Sequence, residues 1–489
     1  MRVDEATVAS EQSAATPGTL RKLSELPSPR AWPLIGHTFQ IKPDIFHQQM
    51  EHWSRELGHY YRIKVGSRSY LIVSDHQAVA LALRERPDGF DRTKRLTDVW
   101  TSMHLKMGLF GAEGEVWRKQ RRMVMAAFDP SHVKAYFPSL CKVADRLESR
   151  WKKSAGTDID LTAELMRFTV DTITGLAFGQ EVNTLESADD IIQDHLDKLF
   201  PMLFKRLISP LQLWRYIRLP ADRALDRSIV EINAAIDGFV VRARKRMQDR
   251  PELREHPSNL LEAMINAADQ GDSGLNDNDV AGNVLTMLLA GEDTTANSLA
   301  WLLSLLWDHP QIMQKLQMEV RGKSALHSQY DMEQLAGLDY LDACINESMR
   351  LKPVAPFIAL QALKDTVIGD VEVPVHTLIF TLMRRDSVDD QYIPEAATFK
   401  PERWLDNGAA GQSINSVKRI SMPFGAGPRI CPGRYLALLE MKIAMTMLLT
   451  RFDIENISAP QGKAPREKLS FTMVPVGLKM RLKSRNYRL

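Results

Sequence analysis

The sequence predicts a mainly α protein with small β-sheets, and three observations carry that prediction. From Gln77 to about Leu351 apolar residues recur every three or four positions, as in Ile229, Ile232, Ala235, Ile236 and Val240, which is one face of a helix. Short runs rich in β-branched and aromatic residues bracket that region: Tyr60 to Val65 and Ser69 to Val73 before it, Thr366 to Val373, Thr377 to Leu382 and Phe471 to Leu482 after it. The 489 residues, 44% hydrophobic and 25% charged, can bury a large core. The three cysteines, Cys141, Cys344 and Cys431, form no CxxC pair, which excludes a disulfide framework and a sequence-local zinc site.

Taken in order, residues 1–25 are polar, small and punctuated by Pro and Gly, a composition that cannot offset the entropy of ordering, so a disordered tail is expected. Folding is expected from Leu26. Pro27-Ser28-Pro29 and Trp32-Pro33-Leu34-Ile35-Gly36 predict a rigid extended segment, because each Pro fixes its own φ and biases its predecessor. Gly66-Ser67-Arg68 then marks a hairpin between the first two strand-like runs. The helices follow, and the runs Thr366 to Val373 and Thr377 to Leu382 are expected to pair back with that hairpin. With early and late strands paired around intervening helices, residues 26–489 are expected to form a single domain.

Charge excludes some functions. The 63 Lys+Arg and 61 Asp+Glu leave a formal charge of +2, which argues against a nucleic-acid binder. The N-terminus lacks the apolar core of a signal peptide, and the longest apolar stretch, Val284 to Trp307, is broken by Glu292 and Asp293, so no membrane span is expected. The few unpaired cysteines suit a reducing compartment, the cytoplasm.

Four strings carry chemistry. Cys431 lies in Pro423-Phe424-Gly425-Ala426-Gly427-Pro428-Arg429-Ile430-Cys431-Pro432-Gly433-Arg434, a loop that feeds a helix-period run from Tyr435 to Leu449. The positive end of that helix and the nearby arginines favour a thiolate, and the glycines let backbone approach something large and flat. From these residues alone Cys431 is a soft ligand, an inert buried cysteine, or a nucleophile with no His in the segment to activate it. A helix from Asp277 to Trp307, capped by Asn276 or Asp277, would run about 45 Å. In its middle stands Ala290-Gly291-Glu292-Asp293-Thr294-Thr295, where two acids in an apolar helix are costly unless paired or solvated. Thr294 can bond a carbonyl of the preceding turn and open a groove beside Gly291; a packed helix with outward acids is the competing reading. Glu347 and Arg350 lie one turn apart, as do Trp117 and Arg121 within a basic patch containing Arg118, Lys119 and Arg122. Both patterns are common on solvated helix faces.

Together these strings resemble the cytochrome P450 superfamily, in family order and over essentially the whole chain from Pro27. Phe424, Gly427, Arg429, Cys431 and Gly433 match FxxGxRxCxG; residues 290–295 match (A/G)Gx(D/E)T(T/S); Glu347 and Arg350 match ExxR, with Pro401-Glu402-Arg403 following as PER; Trp117 and Arg121 match WxxxR. The resemblance implies the cytochrome P450 fold and haem b (heme, iron protoporphyrin IX), with Cys431 as proximal iron ligand. It implies Trp117, Arg121 and Arg429 at the propionates, Phe424 and Gly291 as further cofactor contacts, and a buried Glu347–Arg350–Arg403 cluster. Asp293 and Thr294 become the acid–alcohol pair that relays protons in an oxygen-binding groove. The implied activity is a monooxygenase hydroxylating or epoxidising a small hydrophobic organic substrate with O₂. Electrons would come from a separate donor, a ferredoxin or flavodoxin with its reductase, docked near the basic patch. Implied pocket contacts are residues around Leu96 to Phe110, Ala290, Val354 to Phe357, Thr472 and Met473. The apolar stretch Leu199 to Trp214, interrupted by Lys205 and Arg206, is read from its pattern as a substrate-channel lid, with core packing and a membrane-touching surface as the competing readings.

Two features depart from or subdivide the pattern. Many members place an Arg after the proline turn near Pro353 to Phe357, whereas Leu360 or Gln361 stands here, which weakens propionate anchoring from that side. No membrane anchor is expected before Pro27, which points to the soluble bacterial type, and no flavin or nicotinamide domain is expected after Leu489, so the reductant is expected from another protein. The rival readings are a peroxide-driven or rearranging haem-thiolate enzyme, a kind that usually lacks the acid–alcohol pair, and a haem-based sensor.

Overall fold

The structure is a computed structural model that describes residues 20–179, 184–185, 191–209, 212–324, 331–405 and 416–485. The first nineteen positions of the expected tail lie outside the described residues. Its last positions are held: Arg21 bonds Asp370, Leu23–Glu25 forms a turn of 3₁₀ helix, and Leu26 is buried.

In chain order the helices are α1 (Phe46–Leu57), α2 (His76–Arg84), α3 (Lys94–Ser102), α4 (Gly114–Ala127), α5 (Pro130–Lys153), α6 (Leu161–Phe178), α7 (Ile191–Ile208), α8 (Pro220–Asp249), α9 (Leu260–Ala268), α10 (Asp277–Asp308), α11 (Pro310–Ser324), α12 (Met332–Ala336), α13 (Asp339–Leu351), α14 (Val417–Ile420) and α15 (Arg434–Arg451). The strands are β1 (Tyr60–Val65), β2 (Arg68–Val73), β3 (Phe90–Asp91), β4 (Asp158–Asp160), β5 (Phe357–Ala362), β6 (Thr366–Ile368), β7 (Val371–Val373), β8 (Leu378–Leu382), β9 (Phe452–Ser458), β10 (Glu467–Ser470), β11 (Thr472–Pro475) and β12 (Lys479–Ser484). The mainly α class with small sheets is borne out.

The largest sheet has the order β1-β2-β8-β5-β3, with β2 and β8 parallel and the other pairs antiparallel. The expected hairpin forms, with Gly66-Ser67 as its turn and Val65 opposite Arg68. Of the two late runs, only Leu378–Leu382 joins it. Thr366 to Val373 instead folds on itself as the β6–β7 hairpin, because Gly369 takes a positive φ of 60° at the turn. Phe471 to Leu482 also divides at Gly477: β11 pairs with β10, while β12 lies between β4 and β9.

Helix α10 runs through the main core, packed against α6, and starts on a capping box. The Asn276 side chain accepts from the N–H of Asn278 and Asp279, and the Asp279 carboxylate returns to the Asn276 N–H. Glu292 and Asp293 are buried, so the outward-facing reading of these acids is wrong. Helix α6 packs closely on α10 here: the Thr169 hydroxyl donates to the Glu292 carbonyl at 2.8 Å, and a Cβ at Gly291 would sit 3.2 Å from the Ile173 side chain.

Two buried ionic clusters brace the frame. Glu347 accepts from Arg350 Nε and Nη2 at 2.8 and 2.7 Å, Arg403 Nε at 3.2 Å, Trp404 Nε1 at 2.8 Å and the Lys400 N–H at 3.0 Å. Arg384 lies between Glu51 of α1 and Glu467 of β10, and Glu467 also accepts from His47, Gln48 and Lys352. Burial alone would raise the Glu467 carboxyl, but the His47 hydrogen bond and the Arg384 guanidinium outweigh it and hold that group well below the usual carboxylate range.

Candidate functional site

The cysteine loop is fixed by backbone geometry before any side chain acts. Gly427 has φ of 69°, and a Cβ there would lie 2.5 Å from the Leu83 carbonyl oxygen at the end of α2, so only glycine fits. The Cys431 N–H donates to the Phe424 carbonyl at 3.0 Å, closing the loop just before α15 starts. Cys431 thereby opens into a cavity of about 980 Å³ that also reaches Gly291 and Thr294 of α10 and Trp117 and Arg121 of α4.

The surroundings of Cys431 pull its thiol both ways. Burial raises the Cys431 thiol above its ordinary value, outweighing the N–H groups of Gly433 and Arg434 and the charges of Arg121 and Arg434. A helix N-terminus and two guanidiniums therefore do not make a thiolate here by themselves. A coordinated metal ion would, since it deprotonates a thiol outright. Cys141 and Cys344 stay unreactive, because burial pushes the first up to about 12 and the second higher.

Part of the cavity wall is strongly basic. Arg429 donates to Asp91 and to the Ala112 carbonyl, and its guanidinium lies 4.6 Å above the Trp117 ring. Its Nε has no partner, nor do Arg86 Nε and Nη2 or Arg92 Nε, although all are buried. Arg92 stacks 3.8 Å over Phe110. Burial lowers Arg86 to about 10 and takes Arg92 well below its usual value, each with like charges nearby that push the same way. Arg121 is lowered by burial and partly restored by the Cys431 charge, which places it near the sulfur. Orphaned guanidinium donors in a buried wall demand anionic acceptors. A soft sulfur ligand, a basic wall and apolar surfaces fit iron protoporphyrin with its two propionates.

No arginine stands after the proline turn. Leu360 is core, and Gln361 lines the cavity with its amide 3.3 Å from His376 Nδ1. Arg86 and Arg92, at the end of α2 and just after β3, supply cations that sequence reading missed; no motif marks them. Trp117, Arg121, Arg429, Phe424, Gly291 and Cys431 all line the cavity.

The acid–alcohol pair divides. Thr294 lines the cavity and its hydroxyl donates to the Ala290 carbonyl at 2.7 Å. Asp293 faces β11, accepting from Asn297 Nδ2 at 2.6 Å and from the Thr472 hydroxyl, and it is Thr472 that reaches the cavity. Ala290, Val354 to Phe357, Leu96, Leu109 and Phe110 also line it, whereas Met473 is taken up by a bond from Trp301 to its carbonyl. From the expected lid, Phe204, Leu207 and Ile208 reach the cavity, while residues 210 and 211 lie outside the described residues. In the basic patch Arg118 is occupied by Asp88 and Glu115, and Arg122 lines an outer cleft with Arg84 and Lys364. Arg86, Trp117 and Arg121 line both that cleft and the cavity.

Comparison with known proteins agrees with this geometry. A family model described as Cytochrome P450 matches residues 26–482. A self-sufficient cytochrome P450 monooxygenase of Aspergillus kawachii is 26% identical over 485 residues, covering 94% of this chain and 43% of its own. Cytochrome P450 3A12 of Canis lupus familiaris is 26% identical over 473 residues, covering 91% and 88%. The crystal structure of the cytochrome P450DA heme domain superposes with a TM-score of 0.81 at 25% identity, covering 96% of this chain and 99% of that one. The chain spans less than half the length of the self-sufficient relatives it matches. Among the described residues no helix is long and apolar enough to cross a membrane.

Proposed function

The chain belongs to the cytochrome P450 family, and from that premise we propose that it is a haem-thiolate monooxygenase whose residues 26–489 act as one catalytic domain. The observation that carries the reading is a single cavity that brings together the Cys431 sulfur, the Thr294 hydroxyl and a wall of orphaned guanidiniums. The net reaction takes a substrate C–H bond, O₂, two electrons and two protons to a C–OH group and water; epoxidation of a C=C bond has the same balance. The electrons come from a flavin or iron–sulfur protein, or from a domain of that kind.

When bound, the haem supplies the reductive activation of O₂ and the oxidising equivalent. This chain does the rest. Cys431 would hold the iron through Sγ, and Arg86, Arg92, Arg121 and Arg429 would neutralise the propionates. Thr294 Oγ1 keeps a hydroxyl at the cavity wall, anchored on the Ala290 carbonyl, where it can accept and pass on a proton. Asp293 accepts from the Thr472 hydroxyl, which lines the cavity, so a proton can pass between the carboxyl group and the cavity through Thr472. Aromatic and aliphatic walls exclude water.

The test is spectroscopic. Reduced protein with CO shows the long-wavelength Soret band of thiolate-ligated haem, and Cys431→Ala removes it. A Cys431→Ala variant that keeps the band refutes the reading.

A further inference from the structure

Helices α10 and α15 each turn one face to the cavity. On α15 the lining positions are Leu436, Ala437, Glu440 and Met441; on α10 they include Gly291, Thr294, Thr295 and Ser298. Both sets recur every three or four residues, as a single helix face requires. On α15 an otherwise apolar face therefore carries one carboxyl group, on the helix that the Cys431 loop feeds.

Glu440 is buried, and its surroundings differ from those of other buried carboxylates. Glu347, Glu467, Asp91 and Asp222 each face an arginine. Among the described residues no cation pairs with Glu440, and the hydroxyl that reaches it belongs to Thr295, the neighbour of Thr294. Charged groups on the elements around α15 are committed elsewhere. Lys442 bonds Asp342 of α13 and the Leu335 carbonyl of α12, Arg321 of α11 bonds the Leu449 carbonyl and Asp453 of β9, and Arg451 meets Glu148 of α5. On α10 Asp293 bonds Asn297 and Thr472, and neither its charge nor that of Glu292 bears on Glu440. Burial thus decides the state of this carboxyl: it is pushed up to about 8, and the Thr295 hydroxyl holds it down only in part.

Haem bound in this cavity changes charge during turnover. Ferric iron, porphyrin ring and thiolate sum to zero, and one electron makes that core singly negative. In a low-dielectric cavity the added charge acts strongly on a carboxyl in the wall and favours its protonated form.

Resting on the haem-thiolate reading above, we propose that Glu440 is a redox-linked proton acceptor, taking a proton from solvent when the haem is reduced at alkaline pH. One electron turns ferric haem ferrous, and one proton forms the O–H bond of the Glu440 carboxyl group. The net charge inside the cavity is unchanged by the step.

The experiment is a potentiometric titration of the substrate-free holoprotein with dithionite, followed by its ferric and ferrous Soret bands from about pH 6 to about pH 10. The midpoint potential is level up to about pH 8, then falls with a slope approaching about 59 mV per pH unit, the value for one proton per electron. Glu440→Gln has the shape of the protonated carboxyl group and no proton to lose, so its potential stays level across the range. Thr295→Val removes the hydroxyl that favours the carboxylate and moves the break to higher pH. A level potential in the unaltered protein overturns the proposal, and so does an unchanged slope in Glu440→Gln. Both variants keep the CO band, which is read separately, so failure here is distinct from failure of the haem-thiolate reading.

Discussion

Replacing Glu347 by Gln puts the cost of one buried charge on trial. The side chain is fully buried and accepts five hydrogen bonds, two of them from Arg350 and one from Arg403. Gln keeps the shape but removes the negative charge and aims an NH₂ group at donors. Arg350 is itself fully buried, and its other partners are the carbonyls of Ala396, Thr398 and Ser387, so its charge is left without a counter-ion. Breaking one side of a buried ion pair costs about 3–5 kcal/mol, a large fraction of the 5–15 kcal/mol or so that holds a typical domain folded. The assay is urea unfolding followed by far-ultraviolet circular dichroism, with the CO band as a count of haem-loaded protein. Glu347→Gln moves the midpoint by the full 3–5 kcal/mol or so and yields haem-poor protein. The exposed pair Arg218–Asp226 is the control: Asp226→Ala costs less than about 1 kcal/mol. A Glu347→Gln protein within about 1 kcal/mol of the unaltered one, with full haem, refutes the reasoning.

Two further outcomes follow from single side chains. Thr294→Ala keeps the haem spectrum but releases more hydrogen peroxide per reducing equivalent, while Asp293→Asn slows oxygen consumption by roughly 100-fold, the scale of a lost proton-transfer group; unchanged coupling and rate in both remove this segment from the chemistry. The Glu467 carboxyl is depressed in the folded state, so its contribution to stability is present above its unfolded value near pH 4.3 and is lost as pH falls below it. Unfolding free energy measured from pH 7 down to pH 3 therefore drops in the unaltered protein and drops less in Glu467→Gln; parallel curves would contradict this.

What was legible in the sequence follows from how local each signal is. The Gly66-Ser67 turn fixes the β1–β2 register within fourteen residues, and the i, i+3 spacing of Glu347 and Arg350 puts them on one helix face. The cysteine loop was legible because glycine alone fits Gly427 against α2. Arg86 and Arg92 were not, because what makes them matter is burial beside Arg429, hundreds of residues away in sequence. Asp293 and Thr294 were found as neighbours, yet adjacent helix positions point about 100° apart, so they cannot share one wall. That Asp293 bonds Thr472 depends on a tertiary contact with β11.

The parallel pairing of β2 with β8 joins Tyr70 to Leu378 and Val73 to Thr381. A hairpin made early in synthesis therefore lacks its neighbour until about 300 more residues have left the ribosome, which at roughly 5–20 residues per second takes about 15–60 s. During that interval the β2 edge presents unpaired N–H and C=O groups beside apolar Leu71, Ile72 and Val73, a template for pairing between nascent chains. Closing so long a loop ranks among the slow, non-local steps of folding. Expression at lower temperature with ample chaperone is thus a requirement written into the strand order of this sheet.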